Sequence, residues 1–238
     1  MKSLFLLALP RSLSSLAYQV SRQALGLRQP AWTTDGEVLN NDRHVLFTGD
    51  THDAGLKYLC QRHAPTIFDQ VTAFLDDAVR KEGFIYKDVV QPFVLARWHG
   101  LRELSVLAVR RPVADVAQAV LQRGWRYPAY AVNRRDPSED DLLRGLLLAD
   151  RALAGIPAEV VLYDDLIAGE EPLRAALARL YPDHPLAPAP YLGPEFRRTR
   201  DRLLERRRSA EHRRLAERLA VLESELPVSN IVAARPAA

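Results

Sequence analysis

The sequence predicts an α/β protein with a central parallel sheet flanked by helices. Three observations lead there. Short apolar runs alternate with longer amphipathic stretches along the chain. The runs at 4–9 and 104–109 are apolar almost throughout, as strands buried on both faces are. Glycine or proline punctuates the pattern at Pro10, Gly26, Gly83, Pro112, Gly124 and Gly155.

Residues 3–9 make the first strand. Pro10 ends it, because proline cannot donate to a ladder. Ser12, Ser14 and Ser15 are N-cap residue types, placed where a helix through 17–27 begins. Gly26 is its stop signal. Residues 28–50 read as a long loop, with turn chemistry at Thr33, Thr34, Asp35, Gly36 and Glu37. A loop of that length is either functional, covering an acceptor, or a surface excursion.

Ile67, Phe68, Val71, Phe74, Leu75 and Val79 recur at helical spacing and predict a helix over 65–81. A short strand follows at 84–86, with Lys87 and Asp88 at its carboxyl end. In open α/β sheets ligands bind at that end. Pro92 blocks any unbroken helix through 89–98.

The third strand is 104–109 and the fourth is 159–163. Helices are predicted at 113–123, 139–153 and 172–180, with loops at 124–138 and 182–190. The last long element, 194–226, is a charged helix with an apolar stripe of Leu215, Leu219, Leu222 and Leu226. That helix offers a face for self-association. Residues 1–226 are thus expected to form one domain, with 227–238 as a tail.

Apolar residues are 47% and charged residues 26% of the chain, which excludes a disordered polymer. The net charge of +3 fits an anionic ligand and does not call for nucleic acid. Cys60 is the only cysteine, so no internal disulfide forms, and a reducing, cytoplasmic setting is expected. No run approaches the roughly 20 apolar residues of a membrane span. The first apolar run meets Pro10-Arg11 with no small-x-small site, unlike a signal peptide.

Candidate chemistry begins at residues 10–16. A strand, a hydroxyl-rich turn and a helix N-terminus present unpaired N–H groups and a partial positive charge, which suit phosphate or sulfate. Arg11 adds a planar, permanently charged fork. Neither G-x-x-x-x-G-K nor G-x-G-x-x-G occurs. No Cys/His spacing fits a metal.

Pro10-Arg11-Ser12-Leu13-Ser14-Ser15-Leu16 resembles the 5′-phosphosulfate loop of sulfotransferases that use 3′-phosphoadenosine 5′-phosphosulfate (PAPS). Leu13 stands where that family usually has glycine. Arg111 and Asp115 resemble the family's 3′-phosphate motif, and Ala119 occupies its serine position. Arg110 is a neighbouring cation able to compensate. Tyr163-Asp164-Asp165-Leu166 resembles a late Tyr-Glu-Asp-Leu segment.

The resemblance implies a P-loop NTPase-like sulfotransferase architecture, PAPS as co-substrate, no metal, and a small-molecule acceptor. It implies that Arg11, Ser12, Leu13, Ser14, Ser15 and Leu16 hold the phosphosulfate. Arg110, Arg111 and Ala119 would flank the 3′-phosphate, and Arg197 and Arg198 would form a late basic clamp. Arg11 and Lys87 are the expected catalytic cations and Asp88 the expected general base, with Glu37, His44 and His52 as rivals. A kinase-like phosphotransferase and a non-catalytic nucleotide-binding module of the same fold are the alternatives.

Overall fold

The computed structural model describes residues 1–33, 35–39, 65–188 and 193–227. His44, His52, Cys60 and the expected tail beyond residue 227 lie outside the described residues. A four-stranded, wholly parallel sheet forms the centre, in the order β2-β1-β3-β4. The strands are β1 (Leu4–Ala8), β2 (Ile85–Asp88), β3 (Ser105–Arg110) and β4 (Glu159–Leu162). β1 is flanked on both sides, and all five of its residues are buried. That burial is why its sequence is apolar without alternation.

β1 sends alternate side chains to the two faces. Phe5 and Leu7 join one core, and Leu4, Leu6 and Ala8 join the other. The first core collects α2 (Pro65–Ala78), α4 (Val113–Leu121), α5 (Glu139–Ala154) and α9 (Ala210–Glu225) through Val71, Val116, Leu143 and Leu219. The second collects α1 (Ser14–Leu25) and α7 (Glu171–Leu180) through Ala17, Leu25, Leu173 and Leu177. Each fully buried leucine contributes about 1.5–3 kcal/mol of transfer free energy. Pro92 opens a one-turn helix, α3 (Pro92–Leu95), where its missing N–H does no harm.

Three expectations are corrected. Tyr163 does not end the fourth strand but starts a short helix, α6 (Tyr163–Ala168). The long charged helix is two helices, α8 (Gly193–Arg207) and α9, parted at Ser209, whose side chain accepts from the His212 amide. The leucine stripe does not face solvent for self-association. Leu215, Leu219 and Leu222 are buried in the chain's own core, against α4 and α5.

Connections leave β1 towards β2 on one side, then cross to β3 on the other. The loops after β1 and β3 therefore diverge and leave a crevice at their carboxyl ends, as at a topological switch point. Among the described residues, no helix is long and apolar enough to cross a membrane.

Candidate active site

A cavity of about 630 Å³ opens at that crevice. Its wall includes residues 10–16 after β1, Val89 and Val90 after β2, Arg111 after β3 and Tyr163 after β4. Four strand ends therefore build one site, together with a face of α8.

The loop after β1 has an unusual backbone. Arg11 and Leu13 both have positive φ, at 65° and 59°. Leu13 is the N-cap of α1 and makes no side-chain cap bond. The serines were expected to cap this helix, and they do not. Ser12 is fully buried, and its Oγ has no hydrogen-bond partner. Ser15 Oγ instead accepts a bond from Lys87 Nζ at 2.8 Å. The amides of the first turn of α1 keep no side-chain acceptor, which leaves them for an anion. Leu13 adopts the left-handed conformation that glycine takes most readily.

Lys87 is almost wholly buried. Its ammonium lies between Ser15 Oγ and Glu37 Oε1, the latter at 3.1 Å. Its charge reaches the cavity through those two groups, both of which line the wall. Residues 36–39 run beside β2: the Lys87 amide donates to the Gly36 carbonyl at 2.8 Å, and the Val38 amide to the Lys87 carbonyl at 3.0 Å. Gly36 has φ +80°, and a Cβ there would fall 2.1 Å from the Tyr18 ring. Only glycine fits, and this close approach brings Glu37 to Lys87.

Asp88 is spent elsewhere. Its carboxylate accepts from the amides of Val90, Gln91 and Leu39 at 2.9, 2.8 and 3.2 Å, and it is not on the cavity wall. Burial pushes its carboxyl up to about 7, against the three amides and with the charge of Glu37 adding to the rise. Asp88 ties the 36–39 segment to the end of β2. Of the predicted bases among the described residues, Glu37 lines the cavity.

Arg111 is buried and lies over the Tyr163 ring, its guanidinium carbon 4.4 Å from the centroid. Its Nη1 donates to the Arg11 carbonyl, which joins the loops after β1 and β3. Its Nε lacks a hydrogen-bond partner, with Asp115 Oδ2 at 3.9 Å. Burial lowers the guanidinium's pKa, since little compensates the lost water. Ala119 lines the same wall and offers no hydroxyl. Asp115 is held by Arg207 and by His212, the latter at 2.9 Å, and Arg207 also binds Asp164 at 2.8 Å. This cluster fastens α8 and α9 to α4 and α6.

The structure does not bring Arg110, Arg197 or Arg198 into the cavity. Arg110 turns to Asp150 at 2.7 Å, one face away from Arg111. Arg197 and Arg198 are exposed on α8, whose inward face is Thr199, Arg202, Leu203 and Arg206. Those four sit at i, i+3, i+4 and i+7, and that spacing around the buried Leu203 was the signal available in the sequence. Trp125 and Tyr127, with ring centroids 5.6 Å apart, also line the cavity and lay hidden in a predicted loop.

The arrangement combines an open helix N-terminus, orphaned polar atoms on Ser12 and Arg111, and arginines on a facing helix. It sets unsatisfied donors and guanidinium groups next to a carboxylate backed by an ammonium. Among the described residues, no group of three His, Cys, Asp or Glu side chains is placed for a metal ion. No family model, no curated protein and no solved structure matches this chain.

Proposed function

We propose that this chain is a sulfotransferase that moves a sulfuryl group from PAPS to a hydroxyl or amine. One observation carries the reading. The uncapped N-terminus of α1 and Arg111 meet at one cavity, each with a buried polar atom that nothing in the protein satisfies. Buried polar groups without partners are rare and point to a ligand that completes them.

PAPS supplies an activated sulfuryl group, transferred as its sulfur–oxygen bond to the 5′-phosphate breaks. Arg11 and the first amides of α1 stabilise the negative charge left on that phosphate oxygen. Ser15 accepts from Lys87, so its own O–H is free to donate into the cavity. Arg111 holds the 3′-phosphate, with Arg202 and Arg206 facing it from α8. Glu37 takes the acceptor's proton as the new bond to sulfur forms, and Lys87 holds that carboxylate in place. This assignment replaces Asp88, whose oxygens are committed to backbone amides.

Thermal shift and calorimetry with adenosine 3′,5′-bisphosphate, ATP and GTP test the reading. At about 100 times its dissociation constant, a ligand stabilises by roughly 2.7 kcal/mol. The bisphosphate is expected to give the shift. A shift from ATP alone supports a phosphotransferase instead. Binding of the bisphosphate with no sulfuryl transfer to any acceptor in a broad panel supports a non-catalytic module. Arg111→Ala is expected to weaken the bisphosphate by about tenfold or more, and adenosine 5′-phosphate much less, the difference being a charged hydrogen bond worth about 1.5–3 kcal/mol.

A further inference from the structure

Arg111 and Asp115 are four residues apart at the start of α4, a spacing at which opposite charges usually pair. Here they share no hydrogen bond. Arg111 Nε and Asp115 Oδ2 are 3.9 Å apart, and that Nε has no partner, although both side chains are buried. The reason is that Asp115 is already full. A carboxylate offers about four lone-pair sites. Arg207 Nε donates to Oδ1 at 3.1 Å and to Oδ2 at 3.0 Å, and Arg207 Nη2 donates again to Oδ2. His212 Nε2 meets Oδ1 at 2.9 Å. Because a carboxylate only accepts, the His212 proton is the one on Nε2. Each oxygen of Asp115 thus has two partners, and neither has Arg111.

Both claimants come from the junction of α8 and α9, and both are tied down. Arg207, the last residue of α8, also donates to Asp164 on α6 at 3.0 and 2.8 Å. His212 lies in the first turn of α9, and its amide donates to Ser209 Oγ at 3.1 Å. The same Oγ accepts from Gln118 Nε2 at 3.2 Å, one turn along α4 from Asp115. Arg111 keeps one bond to the protein, from Nη1 to the Arg11 carbonyl, and the Tyr163 ring beside it. Neither carries a full negative charge. A buried guanidinium with an unmet donor therefore stands on the cavity wall.

We propose that Arg207 and His212 are positioning residues for Arg111: by filling Asp115 they keep its carboxylate from neutralising Arg111, and so reserve that guanidinium for an anion in the cavity. The proposal rests on the sulfuryl-transfer reading only for the identity of the anion, the 3′-phosphate. It makes the site conditional on the α8–α9 junction. When that junction leaves α4, Asp115 loses its partners, turns to Arg111 and cancels the charge that the anion needs. The coupling is reciprocal, so an anion on Arg111 favours the arrangement in which Asp115 stays with Arg207 and His212.

The test uses the full chain and two readouts. Nitrogen-15 NMR follows the Arg111 Nε–H without ligand, and calorimetry measures adenosine 3′,5′-bisphosphate, adenosine 5′-phosphate and inorganic pyrophosphate. In Arg207→Gln, and in the milder His212→Leu, Asp115 regains a lone pair. The Arg111 Nε–H should then move downfield and exchange more slowly with water. The bisphosphate should bind about tenfold more weakly, and adenosine 5′-phosphate should change much less. Adding Asp115→Asn to either variant should restore the bisphosphate, since an amide has no charge to cancel Arg111. His212→Gln, whose side-chain N–H can still donate to Oδ1, should stay near wild type. A purely structural role for the junction would weaken both nucleotides alike and leave the Arg111 Nε–H unmoved, and either result overturns the proposal. So does a failed rescue by Asp115→Asn. If the bisphosphate does not bind the wild type, the transfer reading falls and pyrophosphate carries the test. Weaker pyrophosphate binding in His212→Leu, restored by Asp115→Asn, keeps the proposal; pyrophosphate binding that is absent or unaffected by Arg111→Ala ends it.

Discussion

The Lys87 ammonium donates to Ser15 Oγ at 2.8 Å from a position only 1% exposed. A buried lysine is tolerable only when paired, and the Glu37 carboxylate supplies the pair. The bond to Ser15 also fixes a direction. With a lone pair of Oγ occupied, the hydroxyl hydrogen turns away from Lys87. One buried cation thereby joins a hydroxyl and a carboxylate on the same wall.

Lys87→Met should therefore do more than remove a charge. It leaves Glu37 less anchored and Ser15 free to rotate. Turnover with PAPS should fall by about 10²-fold or more, the scale for removing a preorganised electrostatic group. Ser15→Ala removes one hydrogen bond, worth about 1 kcal/mol, and should lose less than tenfold. Release of adenosine 3′,5′-bisphosphate measures both. A wild-type rate from Lys87→Met would place Lys87 outside the mechanism.

Arg207 is the fastener of the α8–α9 pair. It spans Asp115, which is 1% exposed, and Asp164 at the surface. Those bonds hold its guanidinium charged more firmly than usual, with Asp115 foremost. Arg207→Gln leaves a buried carboxylate with His212 and a distant Arg111. The loss should be about 3 kcal/mol in urea unfolding, the range for breaking a buried pair from one side. Adding Asp115→Asn should restore part of it, because the uncompensated charge is then gone. Equal losses in the single and double variants would show that Arg207 acts by packing alone.

The sheet and its order of elements were legible in the sequence because β1 and the middle of β3 are buried on both faces and written in apolar residues. The cavity-lining loop after β1 was legible because its residues are contiguous from Pro10 to Leu16. The rest of the site was not. Glu37 sits in a stretch whose composition marks a turn, and it gains its place beside β2 from backbone bonds to Lys87 and the close approach of Gly36 to Tyr18. Arg197 and Arg198 attracted attention as adjacent charges, but helical geometry turns Arg202 and Arg206 inward instead. Asp88 looked catalytic from its strand-end position. Its three amide partners come from two separate segments of chain, a closure that no local pattern encodes.

Asp88 gives a pH dependence with a definite sign. Its carboxyl rises from the ordinary 3.8 to about 7 on folding, chiefly because burial disfavours the charged form. Between those values the folded state holds a proton that the unfolded state has released. Stability from this group is therefore complete below about pH 4 and declines as pH rises through about 7. Asp88→Asn removes the titration while keeping an acceptor oxygen. The difference in melting temperature between wild type and Asp88→Asn should change progressively from pH 4 to pH 7.5, moving against the wild type. A constant difference across that range would mean that Asp88 stays ionised when folded.

Leu13 provides the most direct test of the proposed anion loop. Its φ of 59° and ψ of 26° lie in the left-handed region, where a side chain costs about 1–2 kcal/mol. Its side chain is half-buried and packs against the small cluster of Tyr163, Ile167 and Leu203. Leu13→Gly removes the strain but also the packing, and it adds about 0.5–1 kcal/mol of unfolded-chain entropy. These contributions nearly cancel, so the melting temperature should move by only a few degrees. Leu13→Asn should behave similarly, since asparagine tolerates this conformation. Leu13→Val should not: a β-branched residue at positive φ is a true outlier. It should unfold more easily or flip the turn, and a flipped turn no longer aims the α1 amides at the cavity. Affinity for adenosine 3′,5′-bisphosphate should then be near wild type for Gly and Asn and weaker by about tenfold or more for Val. If Leu13→Val binds as tightly as wild type, the left-handed turn is not what shapes the anion site.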